Sequence, residues 1–204
     1  MIFCEIMLDL VYTPVIVAMI EEISACIPRV HDIQIKRCSM KKQRTDKINY
    51  YLDIAEAVAM RGTCLRRKFG AIIVKNDQII STGYVGAPRG RDNCCDLGYC
   101  TREKFNIPRG ERYELCRSVH AEANAIISAS RTDMIDGTLY LVGIENNTND
   151  YTQNANSCAM CKRLIINAGI SSVIIRDSKE DFRVIRVYDS WVLEDESKEA
   201  VLGY

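Results

Sequence analysis

Two hydrophobic periods take turns along residues 45 to 187, and that alternation limits the fold more than any other feature of the chain. Ile48, Tyr51, Leu52, Ala55, Val58 and Ala59 recur at helical spacing, so an amphipathic helix is expected over Asp46 to Arg61, stopped by Gly62. Ala71-Ile72-Ile73-Val74 and Gln78-Ile79-Ile80-Ser81-Thr82 then flank Lys75-Asn76-Asp77, which reads as a β-hairpin. Further on come an alanine-rich helix over His120 to Arg131, a strand over Leu139 to Val142 and a helix over Cys158 to Asn167, ended by Gly169. Strands are expected at Val173 to Ile175 and Val184 to Val187, with a charged C-terminal helix after them. Strands interleaved with helices imply an α/β sandwich whose central sheet is largely buried.

Two stretches fall outside that rhythm. Gly83 to Arg117, rich in Gly, Cys, Asp and Arg, is too long for an ordinary connection and reads as a functional loop with a short helix near Leu97 to Phe105. Met1 to Ser39 carries an apolar run from Leu10 to Ile20, broken by Pro14. Glu5 and Asp9 precede the run where a signal peptide would be basic, and Glu21 and Glu22 end it short of a membrane span. The expectation is a natural start at Met40, with residues 1–39 an extension that is disordered or not native. A helical arm packing on a neighbour is the alternative.

Charge bears on the ligand. Lys plus Arg and Asp plus Glu number 27 each, a formal net charge of +0. A polynucleotide binder would show a basic excess or stripe, so the balance favours a small-molecule substrate, with no polynucleotide and no membrane. The chain holds 10 cysteines without a secretory signal. Clustered cysteines in a reducing compartment are more often metal ligands or small core residues than disulfides, which points to a cytoplasmic protein with at least one metal site.

His120-Ala121-Glu122 and Cys158-Ala159-Met160-Cys161 each open an expected helix. A Cys-x-x-Cys pair at a helix start can grip one ion, because the helix dipole and the metal both favour thiolate. Soft sulfur with imidazole suits zinc better than magnesium or calcium. Three protein ligands leave a position for water, where a closed structural site would have four. Zinc lowers the pKa of such a water to about 7, and Glu122 is placed to shuttle protons. Residues two apart in a regular helix diverge, so His120 must lie at the cap or first turn; Ser118 is a plausible capping residue. A structural zinc site or a set of buried thiols is the plainer reading of the same four residues.

His-x-Glu followed by Cys-x-x-Cys is the signature of zinc deaminases. The chain resembles the cytidine/deoxycytidylate deaminase family, its deoxycytidylate branch in particular, through residues 69–90, 118–131 and 156–177, and over about Lys47 to Asp177 in all. The resemblance implies a three-layer α-β-α sandwich around a central five-stranded mixed sheet, with residues 40–204 as the zinc-dependent deaminase domain. It implies His120, Cys158 and Cys161 as zinc ligands and Glu122 as the catalytic proton shuttle. The reaction implied is hydrolysis of dCMP to dUMP and ammonia, which supplies thymidylate synthesis. Another cytosine nucleoside or nucleotide, or a non-catalytic zinc scaffold, are the alternatives.

The resemblance also assigns weaker roles. Ala121, Ser157 and Val85 are expected at the substrate. Ser157 stands where the family often has Pro, and Val85 where it often has an Asn that bonds the sugar hydroxyl. Charge alone, apart from the resemblance, makes Arg66, Lys68, Arg89, Arg131 and Arg176 candidates to meet a phosphate, and each also reads as a solvated surface charge; the resemblance implies that Arg131 could do so across a subunit contact. Pro88, Arg89 and Gly90 lie in the loop that holds a dCTP or dTTP effector in regulated relatives. Relatives form dimers or hexamers, so a homo-oligomer is expected. Cys94, Cys95, Cys100 and Cys116 could close a tetrahedron around a second, structural ion; small buried thiols are the other reading, since Cys94 and Cys95 are neighbours. His31 reads as an ordinary residue of the N-terminal segment.

Overall fold

The computed structural model describes residues 44–108 and 111–194. The expectations for residues 1–39 and for the charged C-terminal helix lie outside the described residues. Helix α1 runs from Lys47 to Ala59, and Asp46 caps it by accepting from Asn49 N–H at 3.0 Å. Strands β1 (Arg67–Lys75) and β2 (Gln78–Tyr84) follow as the expected hairpin. Asn76 and Asp77 form the turn with φ of 50° and 61°, a left-handed region that short polar side chains tolerate and that suits strand twist.

The long loop contains two short helices where one was expected, α2 (Cys94–Leu97) and α3 (Thr101–Lys104). Asn93 and Asp96 bond each other's backbone as a capping box, and Gly98 in the left-handed region (φ 71°) separates the two helices. Helix α4 is Ala121–Ile127 and stops at Ser128, short of Arg131. Ser130 then caps a new helix, α5 (Arg131–Met134). Strand β3 (Thr138–Glu145), helix α6 (Ala159–Ala168), strand β4 (Ser172–Arg176) and strand β5 (Phe182–Arg186) complete the order, with a last helical segment at Tyr188–Leu193.

The five strands form one mixed sheet in the order β2-β1-β3-β4-β5, parallel between β3 and β4 and antiparallel elsewhere. Period-two alternation sorts their side chains onto two buried faces. Ile72, Val74, Tyr140, Val142 and Ile174 meet Leu52, Ala55 and Ala59 of α1. Ala71, Ile73, Leu139, Leu141, Val173 and Ile175 meet Ala121 and Ala125 of α4 and Ile165 and Ala168 of α6. Helices on both faces make the three-layer sandwich that the resemblance implied. Gly83 lets β2 touch α4: a Cβ there would fall 2.2 Å from Ala125 N and 2.3 Å from Ala121 O.

Candidate active site

The backbone reaches α4 through two mutual bonds, Val119 N–H to Gly86 O at 2.8 Å and Gly86 N–H to Val119 O at 3.2 Å. His120 comes next, still extended (φ −70°, ψ 154°), as the N-cap of α4, with Glu122 in the first turn. That placement lets residues two apart share one site. Ser118 is not the cap: its hydroxyl lies 3.8 Å from the Cys94 sulfur. Helix α6 starts the same way, with Cys158 as an extended N-cap (φ −68°, ψ 165°) and Cys161 in the first turn.

The sulfurs of Cys158 and Cys161 lie 3.4 and 3.5 Å from His120 Nδ1. All three donor atoms lie within 4.8 Å of one another, the only such group found among the described residues. The set fits zinc: two soft sulfurs and an imidazole at one point, with a fourth position left over. The Tyr113 ring steadies the imidazole edge-on, with centroids 5.2 Å apart and planes at 87°.

Electrostatics agree with that use. The Cys161 thiol donates to Cys158, and this bond, with His120, outweighs burial and draws the Cys158 pKa down to about 4. The same bond, burial and the Glu122 charge push Cys161 up. A thiolate sharing one proton with a second thiol is a pair that a dication completes by displacing that proton. Burial also raises Glu122, which is 4% exposed, although the His120 charge opposes the shift. The Ser157 hydroxyl is buried without a hydrogen-bond partner, yet near enough to Glu122 to favour its charged form.

His120, Glu122 and Cys158 open onto a cavity of about 280 Å³. That is close to the lower end of small-ligand pockets, about 300–1,000 Å³. Phe69, Val85 and Ala121 give it apolar wall, and Thr152, Asn154 and Asn156 give it polar wall. A larger hollow of about 610 Å³, between Arg67, Tyr151 and Asp177, holds none of the metal donors or Glu122.

The expected cations separate clearly. Arg66 lines the cavity and pairs with Glu103 at 3.3 Å. Lys68 is half-buried on β1 and does not line the cavity. Arg131 starts α5 and donates to Asn167 O at 2.8 Å, away from the cavity. Arg176 is a correction. It is fully buried on the α1 face of the sheet, bonded to Asp53 at 2.7 Å and Glu56 at 2.9 Å, so it cannot meet a substrate. Pro88, Arg89 and Gly90 form a surface turn closed by Arg91 N–H to Pro88 O at 3.0 Å, and none of them lines the cavity.

Cys95 leaves the expected second metal set, being exposed with its sulfur on Asp96. Cys94, Cys100 and Cys116 instead gather near Cys64, close enough to affect one another's charge but looser than the His120 group. Sequence reasoning passed over Arg102, Tyr113 and Thr152, which all line the cavity. Arg102 lies on the four-residue helix α3, Tyr113 opens a single 3-10 turn and Thr152 sits in a loop, pieces too short for periodicity to mark a residue as inward-facing.

Comparison with known proteins agrees with this geometry. Residues 45–176 match the family model described as the cytidine and deoxycytidylate deaminase zinc-binding region. Deoxycytidylate deaminase of Mycobacterium phage D29 is 36% identical over 136 residues, covering 64% of this chain and 94% of the phage protein. Deoxycytidylate deaminase of Schizosaccharomyces pombe is 30% identical over 148 residues, covering 68% of this chain and 42% of the yeast protein. A crystal structure of dCMP deaminase from the cyanophage S-TIM5 aligns at a TM-score of 0.45 and 25% identity, over 67% of this chain and 88% of that one. The family match spans well over half of the chain, which therefore belongs to the cytidine and deoxycytidylate deaminase family, with zinc as its metal.

Proposed function

We propose that this protein hydrolyses dCMP to dUMP and ammonia. One observation carries the reading: of three metal donors gathered at the N-termini of α4 and α6, His120 and Cys158 line one cavity of about 280 Å³ with the buried carboxyl of Glu122. The relatives that carry the name deoxycytidylate deaminase support the choice of substrate.

His120, Cys158 and Cys161 would hold the zinc. Bound there, zinc supplies Lewis acidity that makes water a nucleophile at neutral pH. Glu122 takes a proton from the water that attacks C4 and delivers it to N3 of the ring. It then passes a second proton to the amino nitrogen, which leaves as ammonia while the C4 oxygen becomes the carbonyl of uracil. Val85, 7% exposed, and Phe69 exclude bulk water from this exchange. Thiolate ligands require a reducing setting, which supports a cytoplasmic location.

We also propose self-association, supported by large apolar side chains left exposed on α4 and α6: Ile127 at 75%, Met160 at 52% and Leu164 at 40%. The Pro88–Arg89–Gly90 turn is proposed as the effector contact because Arg89 is exposed and pairs with no carboxylate among the described residues. Ammonia release from dCMP and from cytidine by the purified, zinc-loaded chain, with and without dCTP and dTTP, tests the whole reading. Turnover of dCMP with little of cytidine is expected; equal turnover of both would contradict the substrate assignment.

A further inference from the structure

Buried polar atoms in folded proteins nearly always have a partner, so an orphan deserves an explanation. Among the described residues four buried side-chain polar atoms lack one: Arg102 Nε, Thr152 Oγ1, Ser157 Oγ and Arg176 Nε. Arg102 carries a charge as well, and it lines the catalytic cavity at 4% exposure.

Three arginines reach this cavity, and they differ in how their charge is met. Arg66 pairs with Glu103 at 3.3 Å and Arg67 with Glu145 at 2.7 Å. Among the described residues no carboxylate lies within ion-pair distance of Arg102. Its guanidinium sits 4.5 Å over the Tyr113 ring, and one amino group donates to Pro108 O and Glu111 O. Those contacts hold the group in place; among the described residues none of them brings a carboxylate against it, and Glu114 feels its charge only at longer range. A buried guanidinium without a counter-charge is costly, and the cost is relieved when an anion binds beside it. Tyr113, the ring beneath Arg102, is the one that abuts His120, so the cation stands one ring away from the metal donors.

We infer that Arg102 is the receptor for the 5′-phosphate of the substrate and makes the cavity select nucleoside monophosphates over nucleosides. The inference rests on the nucleotide-deaminase reading. A fixed guanidinium with an unused Nε–H matches phosphate oxygens, and charge-assisted bonds of this kind are among the strongest that side chains make. Arg102 is thus a specificity-determining residue; it takes no part in the proton transfers.

The test compares ligands with and without the phosphate. For the wild-type chain, Arg102→Gln and Arg102→Lys, kcat/KM is measured with dCMP and with deoxycytidine, and Kd by calorimetry with dUMP and with deoxyuridine. Arg102→Gln is expected to lower the dCMP-to-deoxycytidine ratio, and the dUMP-to-deoxyuridine affinity ratio, on the order of 10–100-fold. Arg102→Lys, which keeps a cation without the fork, is expected to fall between. Inorganic phosphate should inhibit deoxycytidine turnover in the wild type and much less in Arg102→Gln. If Arg102 only braces the loop, both members of each pair fall together and the ratios stay fixed, which overturns the proposal. Should Arg102→Gln fail to fold, Arg102→Lys and phosphate inhibition of the wild type decide it. A wild-type chain that binds dUMP through Arg102 yet releases no ammonia refutes the deaminase reading and leaves this one standing.

Discussion

Glu122 and the metal donors make separable demands on the chemistry, and substitution should separate them. Glu122→Gln keeps the size of the side chain and removes its proton transfer, which is worth about 10²–10⁴-fold. The variant should lose that much kcat while its zinc content, read by elemental analysis, stays at the wild-type level. Cys161→Ser should instead lose zinc, and turnover with it, because a neutral hydroxyl cannot replace a buried thiolate. These four residues were legible in the sequence because each pair sits within four positions at a helix start. Arg176 was misread for the opposite reason. The acids that claim it, Asp53 and Glu56, lie 123 and 120 residues earlier in the chain. Arg102 was invisible because its place beside the cavity, over the Tyr113 ring, is set by contacts in space.

At the scale of elements, most strands and helices followed from periodicity, while the ends of α4 did not. Ser128, Ala129 and Ser130 continue the composition of an alanine-rich helix, so nothing local marks the break. The Ser130 side chain nevertheless accepts from Asp133 N–H and starts α5. The contact of β2 with α4 is the element that couples fold to site. Gly83→Ala places a methyl against the backbone of the helix that carries His120 and Glu122. Overpacking of this kind costs about 1–3 kcal/mol. A lower urea midpoint should therefore accompany a lower kcat, and a wild-type midpoint in this variant would refute the tight contact.

At the scale of the whole molecule, a charged cluster ties α1 to β4 across more than a hundred residues of chain. Arg176 is shared by Asp53 and Glu56, Lys179 bonds both acids at 2.9 and 3.3 Å, and Tyr151 donates to Glu56 at 2.8 Å. Burial raises both carboxyl pKa values, yet bonds from Arg176, Lys179 and, for Glu56, Tyr151 hold them below their usual 3.8 and 4.5. A depressed carboxyl pKa stabilises the fold above its unfolded value, and that stability is lost as pH falls through the folded value. Urea midpoints should thus be level from about pH 7 to 5 and drop below about 4. Arg176→Met should flatten that drop and lower stability at pH 7 by roughly 3 kcal/mol, the modest end for breaking a buried pair, because both acids are partly solvated and keep Lys179. An acid step unchanged in Arg176→Met would place the acid sensitivity elsewhere.

X-ray absorption at the zinc edge of the purified chain reaches the central claim most directly. The account predicts two sulfurs at about 2.3 Å, one imidazole nitrogen and one light atom that belongs to solvent or to added uracil nucleotide. Four protein donors, with a third sulfur or a second imidazole in that last position, would contradict it.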